Sequence, residues 1–184
     1  MRWLLLLLLS CLPSNNTAET ASSFNAPYLV VDAYKAFAIG KPQRVYKWRM
    51  TPTIRVCLET EVTKDRVKKA MRFWEPLGYK FDSVYMDYKL GCSEPLYGEI
   101  IITLPEGDIG STNLAATRVY TDKISNDIIK AKIFIYPRSV KKQRVLEHEI
   151  GHALGWEHYR QKFHMMHPTW NMGGYDTRGL RKTP

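Results

Sequence analysis

Residues 148 to 158 read HEIGHALGWEH, which sets His148, Glu149, His152, Gly155 and His158 in the spacing HExxHxxGxxH. His148 and His152 are one helical turn apart, so on a helix their imidazoles project from one face and can reach a single ion. Gly155 is free to take the positive φ with which a helix ends in a sharp turn, and that turn would return His158 as a third ligand. Three neutral imidazoles leave the fourth position of a tetrahedral Zn²⁺ open for water, which the ion acidifies toward neutral pH. Glu149 adjoins the first ligand without being one, so its carboxylate is suited to take the proton of that water and pass it on. The chemistry expected is metal-assisted hydrolysis at one catalytic zinc ion.

These side chains need a helix behind them, and the sequence supplies one. After Pro137, Ser139 can cap a helix whose apolar residues Leu146, Ile150, Ala153 and Leu154 form a core stripe, with the histidines on another face. Upstream, Ile54, Val56 and Leu58 alternate with Arg55 and Cys57, the period of a half-buried strand. Thr63 then offers an N-cap to an amphipathic helix carrying Val67, Ala70, Met71 and Trp74 and ending near Pro76. Four further strands are expected at 83–89, 99–104, 115–120 and 131–136. The order is strand, helix, four strands, helix and an irregular tail. Residues 28–38 are apolar enough to pack, with no partner evident.

At 184 residues the chain has room for one domain with a real core. Met1-Arg2-Trp3 followed by leucines from Leu4 to Leu9 reads as an export signal over residues 1–18, too short to span a bilayer as a helix. The expected location is extracytoplasmic. Leu8-Leu9-Ser10-Cys11 also resembles a lipobox, so a secreted protein and a lipid-anchored one both stand. Residues 19–50 form a leader and N-terminal segment, and 51–184 the expected catalytic domain. Cys57 and Cys92 are the only cysteines after the signal, and either a disulfide or two buried thiols satisfies them. The net charge of +9 would attract polyanions, yet no nucleic-acid module accompanies it, so no specific nucleic acid is expected.

The extended motif resembles that of the metzincin superfamily of zinc endopeptidases, and Met165-Met166-His167-Pro168 is similar to their Met-turn, with Met166 as the methionine beneath the ligands. Residues 51–168 are closest to the matrixins. The resemblance implies an α+β fold: a twisted, mixed five-stranded sheet with two long helices and a zinc cleft above a very short lower subdomain, 159–184. It implies a monomer acting on protein or peptide substrates. The strand at 115–120 resembles the edge strand on which these enzymes lay an extended substrate. Pro168 to Tyr175 would line the pocket beside the scissile bond, with Trp170 and Tyr175 as its wall. Tyr159 departs from the residues usual after the third histidine, and the loop that holds a structural zinc in matrixins is missing between Glu106 and Asp127, so no structural metal is expected. The competing reading is a non-catalytic, zinc-stabilised binding module of the envelope or secreted fraction, against which Glu149 argues because a structural site needs no base.

Overall fold

The computed structural model describes residues 26–89, 91–107, 109 and 113–182; the export signal expected over 1–18, with Cys11 and the lipobox-like stretch, lies outside them. Among the described residues no helix is long and apolar enough to cross a membrane. The elements in chain order are β1 (Tyr28–Asp32), a 3-10 turn at Ala33–Lys35, β2 (Phe37–Ala38), β3 (Lys47–Trp48), β4 (Thr53–Cys57), α1 (Lys64–Trp74), β5 (Val84–Asp87), β6 (Glu99–Thr103), β7 (Ala115–Asp122), β8 (Asp127–Ile135), α2 (Pro137–Val140), α3 (Val145–Ala153) and β9 (His158–Tyr159).

The fold is α+β, with a mixed sheet and short helices. The sheet has seven strands rather than the expected five, in the order β1-β7-β8-β6-β4-β5 with β3 also on β8. The additional strands come from residues 28–48, where β1 pairs antiparallel with β7 from Tyr28↔Asp122 to Asp32↔Arg118. Strands β4, β5, β6 and β8 run parallel, and β7 is antiparallel to β8. β6 is buried at every residue, Ile100 and Ile102 joining the main core and Ile101 packing on the opposite face with Cys57 and Cys92. A strand covered on both faces reads as an unbroken apolar run. Cys57 and Cys92 form a disulfide, which settles the alternative left open by the sequence.

Helix α1 has 11 residues and α3 has nine, so neither is long. Thr63 caps α1 as expected, its Oγ1 accepting from the Arg66 N–H at 3.2 Å, and Val67, Ala70 and Trp74 are buried. Thr63→Ala is expected to cost about 1 kcal/mol, read as a lowered urea midpoint with an unchanged m-value. The second helix begins later than the sequence suggested. Ser139 lies within the short α2, and Arg144 at φ 68° takes the left-handed conformation that separates α2 from α3. Helices α1 and α3 are locked together by Trp74, whose indole N–H donates to the Glu147 carbonyl at 2.8 Å. Arg66 adds a two-pronged bond to the buried Glu147 carboxylate at 2.8 and 2.6 Å.

Candidate metal centre

His148 and His152 both lie on α3, and the chain leaves that helix at Gly155, where φ is 99°. A Cβ at this position would sit 2.0 Å from the Tyr46 carbonyl oxygen, so glycine is required by space as well as by the dihedral. The Val45 N–H donates to the Gly155 carbonyl at 3.0 Å and holds the turn from the other side. Three residues later β9 pairs in parallel with β2, Phe37 opposite His158, and the His158 N–H donates to the Ala36 carbonyl at 3.1 Å. The third histidine is thus positioned by residues 36–38, a segment in which sequence reading found no function.

The three Nε2 atoms converge. His148 to His152 is 3.0 Å, His148 to His158 3.2 Å and His152 to His158 3.1 Å. The other ring nitrogens explain what these contacts are. His148 Nδ1 meets the Met165 carbonyl at 2.8 Å and His152 Nδ1 meets the Trp156 carbonyl at 2.7 Å. A carbonyl only accepts, so both Nδ1 atoms carry the proton and both Nε2 atoms present bare lone pairs. Burial also pulls the protonation of these rings down: His148 to about 4, His158 to about 3 and His152 well below the usual imidazole range. Around neutral pH the rings are uncharged, and at least two of their facing lone pairs cannot hydrogen-bond to one another. That donor set fits a cation, and N···N spacings near 3 Å suit ligand bonds of roughly 2.0–2.1 Å to a zinc-type ion. The cluster is therefore a potential metal-binding site. The donors suit zinc or another first-row transition ion better than calcium or magnesium, which prefer oxygen.

Glu149 is buried on the neighbouring face of α3. Its Oε2 accepts from the Thr117 hydroxyl at 2.7 Å, a residue of β7. Burial pushes the carboxyl up to about 7, the Thr117 bond working in the opposite direction. Both Glu149 and the histidines His148 and His158 line a cavity of about 310 Å³ bounded by Tyr34, by Asn113 to Ala115, and by Pro168 to Trp170. Thr117 was missed from sequence. Its strand was expected, but nothing local marks which of its side chains meets Glu149 across 32 residues.

Met166 is fully buried beneath the helix, where its sulfur packs so closely that a Cβ on Gly151 would lie 2.5 Å from Sδ and 2.7 Å from the Trp74 ring. The segment is coupled to the histidine cluster twice: the Met165 carbonyl accepts from His148, and the Met166 carbonyl accepts at 2.8 Å from the N–H of Tyr159, the residue after His158. Trp170 lines the cavity, its indole N–H donating to the Gln143 carbonyl at 2.8 Å. Tyr175 stands outside the lining, its ring 6.3 Å from Phe73 and 5.9 Å from the Arg144 guanidinium. Arg144 itself lines the cavity and lies 5.4 Å from the Trp170 ring, a position the sequence did not single out.

No protein-family model matches the chain, and no curated protein matches it.

Proposed function

We propose that this protein is a zinc-dependent peptidase of the metzincin type, holding one ion on His148, His152 and His158 and using Glu149 as the general base. The observation that carries the reading is the meeting of three imidazole Nε2 atoms, at least two of them bare lone pairs, with His148, His158 and the buried Glu149 on the wall of one cavity. The order β7-β8-β6-β4-β5, with β7 alone antiparallel to its neighbour β8, also supports it, as does Met166 under the ligand helix.

A divalent ion bound there would polarise a scissile carbonyl and acidify a water beside it. Glu149 then removes a proton from that water as its oxygen adds to the carbonyl carbon. The carbon–nitrogen bond breaks, Glu149 returns the first proton to the departing nitrogen and the second proton of the water follows, so that peptide and water give a carboxylate and an ammonium group. Burial raises the Glu149 carboxyl to about 7 in the metal-free protein, and the charge of a bound cation would draw it down from there, favouring the carboxylate form that a base needs. Thr117 keeps one carboxylate oxygen fixed and leaves the other for the water. Trp170 forms part of the wall on which a substrate side chain rests, and Tyr175 supports that wall through Arg144. An export signal at 1–18, and a domain in which residues 28–48 add strands to the expected 51–184, complete the reading of a secreted or lipid-anchored enzyme.

Purified protein is expected to bind one equivalent of zinc by elemental analysis and to cleave members of a mixed peptide library. Chelation should abolish cleavage and added zinc restore it, and His152→Ala should lose both metal and activity. One zinc bound with no cleavage of any peptide would turn the reading into a binding module.

A further inference from the structure

One wall of the cavity carries a fixed positive charge. Arg144 is the only lysine or arginine in the described lining, and no carboxylate among the described residues pairs with it. Arg55, Arg66 and Arg118, partly buried as it is, each meet an Asp or Glu side chain. Partial burial weakens the hydration of a cation, so a carboxylate brought into this cavity gains more from Arg144 than it would from a fully solvated arginine.

The guanidinium is held in place from several sides. Nη2 donates to the Trp170 carbonyl at 2.9 Å, and the Trp170 indole N–H returns a bond to the Gln143 carbonyl at 2.8 Å. The group lies 5.4 Å from the Trp170 ring and 5.9 Å from the Tyr175 ring, and a Cβ on Gly173 would be 2.7 Å from Nη1. Its charge is also close enough to His148 to add to burial in disfavouring a proton on that ring. Of the five N–H groups of the side chain, one finds an acceptor among the described residues.

The backbone of Arg144 sits at φ 68°, a conformation that glycine or asparagine enters at less cost. The break between α2 and α3 needs that dihedral and not this side chain, and strain of this kind gathers at ligand clamps. Arg138, Lys141 and Lys142 lead up to it in sequence, and Lys142 Nζ lies 5.3 Å from the same Trp170 ring. The lining beside Arg144 is apolar at Val145 and Met165. At about 310 Å³ the cavity is near the small end of ligand pockets, which run from about 300 Å³, so it has room for a side chain or a chain end.

We propose that Arg144 is a specificity-determining residue that receives a substrate carboxylate, so that this site selects peptides with an acidic side chain or a free carboxyl terminus close to the bond that is cut. This rests on the peptidase reading above and names its substrate class. The guanidinium supplies charge-assisted hydrogen bonds that an amide of the same shape does not match.

The test measures kcat/KM for the zinc-loaded full-length wild type, Arg144→Gln and Arg144→Lys on two sets of peptides. In the first both ends are blocked, and Glu or Gln stands in turn at each of three positions on either side of the scissile bond. In the second acidic side chains are absent, and the carboxyl end, one to three residues beyond the bond, is free or amidated. The wild type is expected to favour carboxylate over amide by about ten- to a hundredfold at one position, the worth of a hydrogen bond to a charged group. The preference should shrink as salt is raised. Arg144→Gln should bring the ratio close to one, and Arg144→Lys should keep part of it. Because the paired peptides share one shape, a mere loosening of the Trp170 wall lowers both rates and leaves their ratio unchanged. Preference in the first set assigns the carboxylate to a side chain, and preference in the second to the chain end. Wild-type ratios near one at every position, or a preference that survives intact in Arg144→Gln, overturn the proposal and leave the peptidase reading standing. Cleavage of no peptide in either set by the zinc-loaded wild type overturns both.

Discussion

Glu149→Gln is expected to lower peptide hydrolysis by about 10²–10⁴-fold while leaving one equivalent of zinc bound. The substitution preserves volume and keeps an oxygen that can accept from the Thr117 hydroxyl, now 2.7 Å away, so the buried position stays filled and partnered. It removes only the ability to take up and release a proton. The three converging nitrogens belong to His148, His152 and His158, none of which bonds to the Glu149 side chain, so metal content is expected to be indifferent to the change. Turnover under saturating peptide, elemental analysis and a thermal melt together make the comparison. Full turnover in a zinc-loaded variant would remove Glu149 from the chemistry. Loss of zinc along with activity would make it a structural residue instead.

Gly155→Ala is expected to destabilise the chelated protein by about 2–5 kcal/mol, adding the cost of a left-handed alanine to that of overpacking. For a domain of this size that is a large part of the whole stability, which is on the order of 5–15 kcal/mol. The contact is with backbone, the Tyr46 carbonyl at 2.0 Å from the added carbon, so no side chain can rotate out of the way. Relief has to come from moving residues 45–46 or from opening the turn, and opening it carries His158 away from the other two rings. Zinc affinity is therefore expected to fall by more than about tenfold, the range typical when support around ligands is disturbed. Urea unfolding with chelator present and a separate zinc titration read the two effects independently. A near-neutral result in both would mean that the turn adapts and that the motif's glycine is not demanded by this geometry.

Much of the scaffold was legible because its signals are local. Alternation at β4 and β5 and apolar or β-rich runs at β6, β7 and β8 marked these strands to within a few residues, and Thr63 with Val67, Ala70 and Trp74 marked α1. The three histidines were legible together because two share a helical face and the third follows a glycine. The start of α3 was misplaced because a capping serine at 139 looks the same whether the chain goes on as helix or breaks, and the break is made by a non-glycine residue, Arg144, in a conformation such residues seldom take. The pairing of β1 with β7 joins segments some ninety residues apart, and neither strand carries a mark of the other. For the same reason the pairing of β1 with residues 118–120 of the expected substrate edge at 115–120 was not foreseen. Trp170 was found on the cavity wall and Tyr175 outside it, a distinction that depends on how the chain after Met166 folds back rather than on residue type.

Gly151 gives the ligand helix a history as well as a shape. The motif treats the two positions between His148 and His152 as free, yet the second is closed from one side by the Met166 sulfur and from the other by the Trp74 ring. A larger residue at 151 can be accommodated only if 74 or 166 shrinks in step, so the three positions form a single evolutionary unit although they lie in a helix, a second helix and a turn. Relatives of this protein should therefore have changed at 151 only in company with 74 or 166.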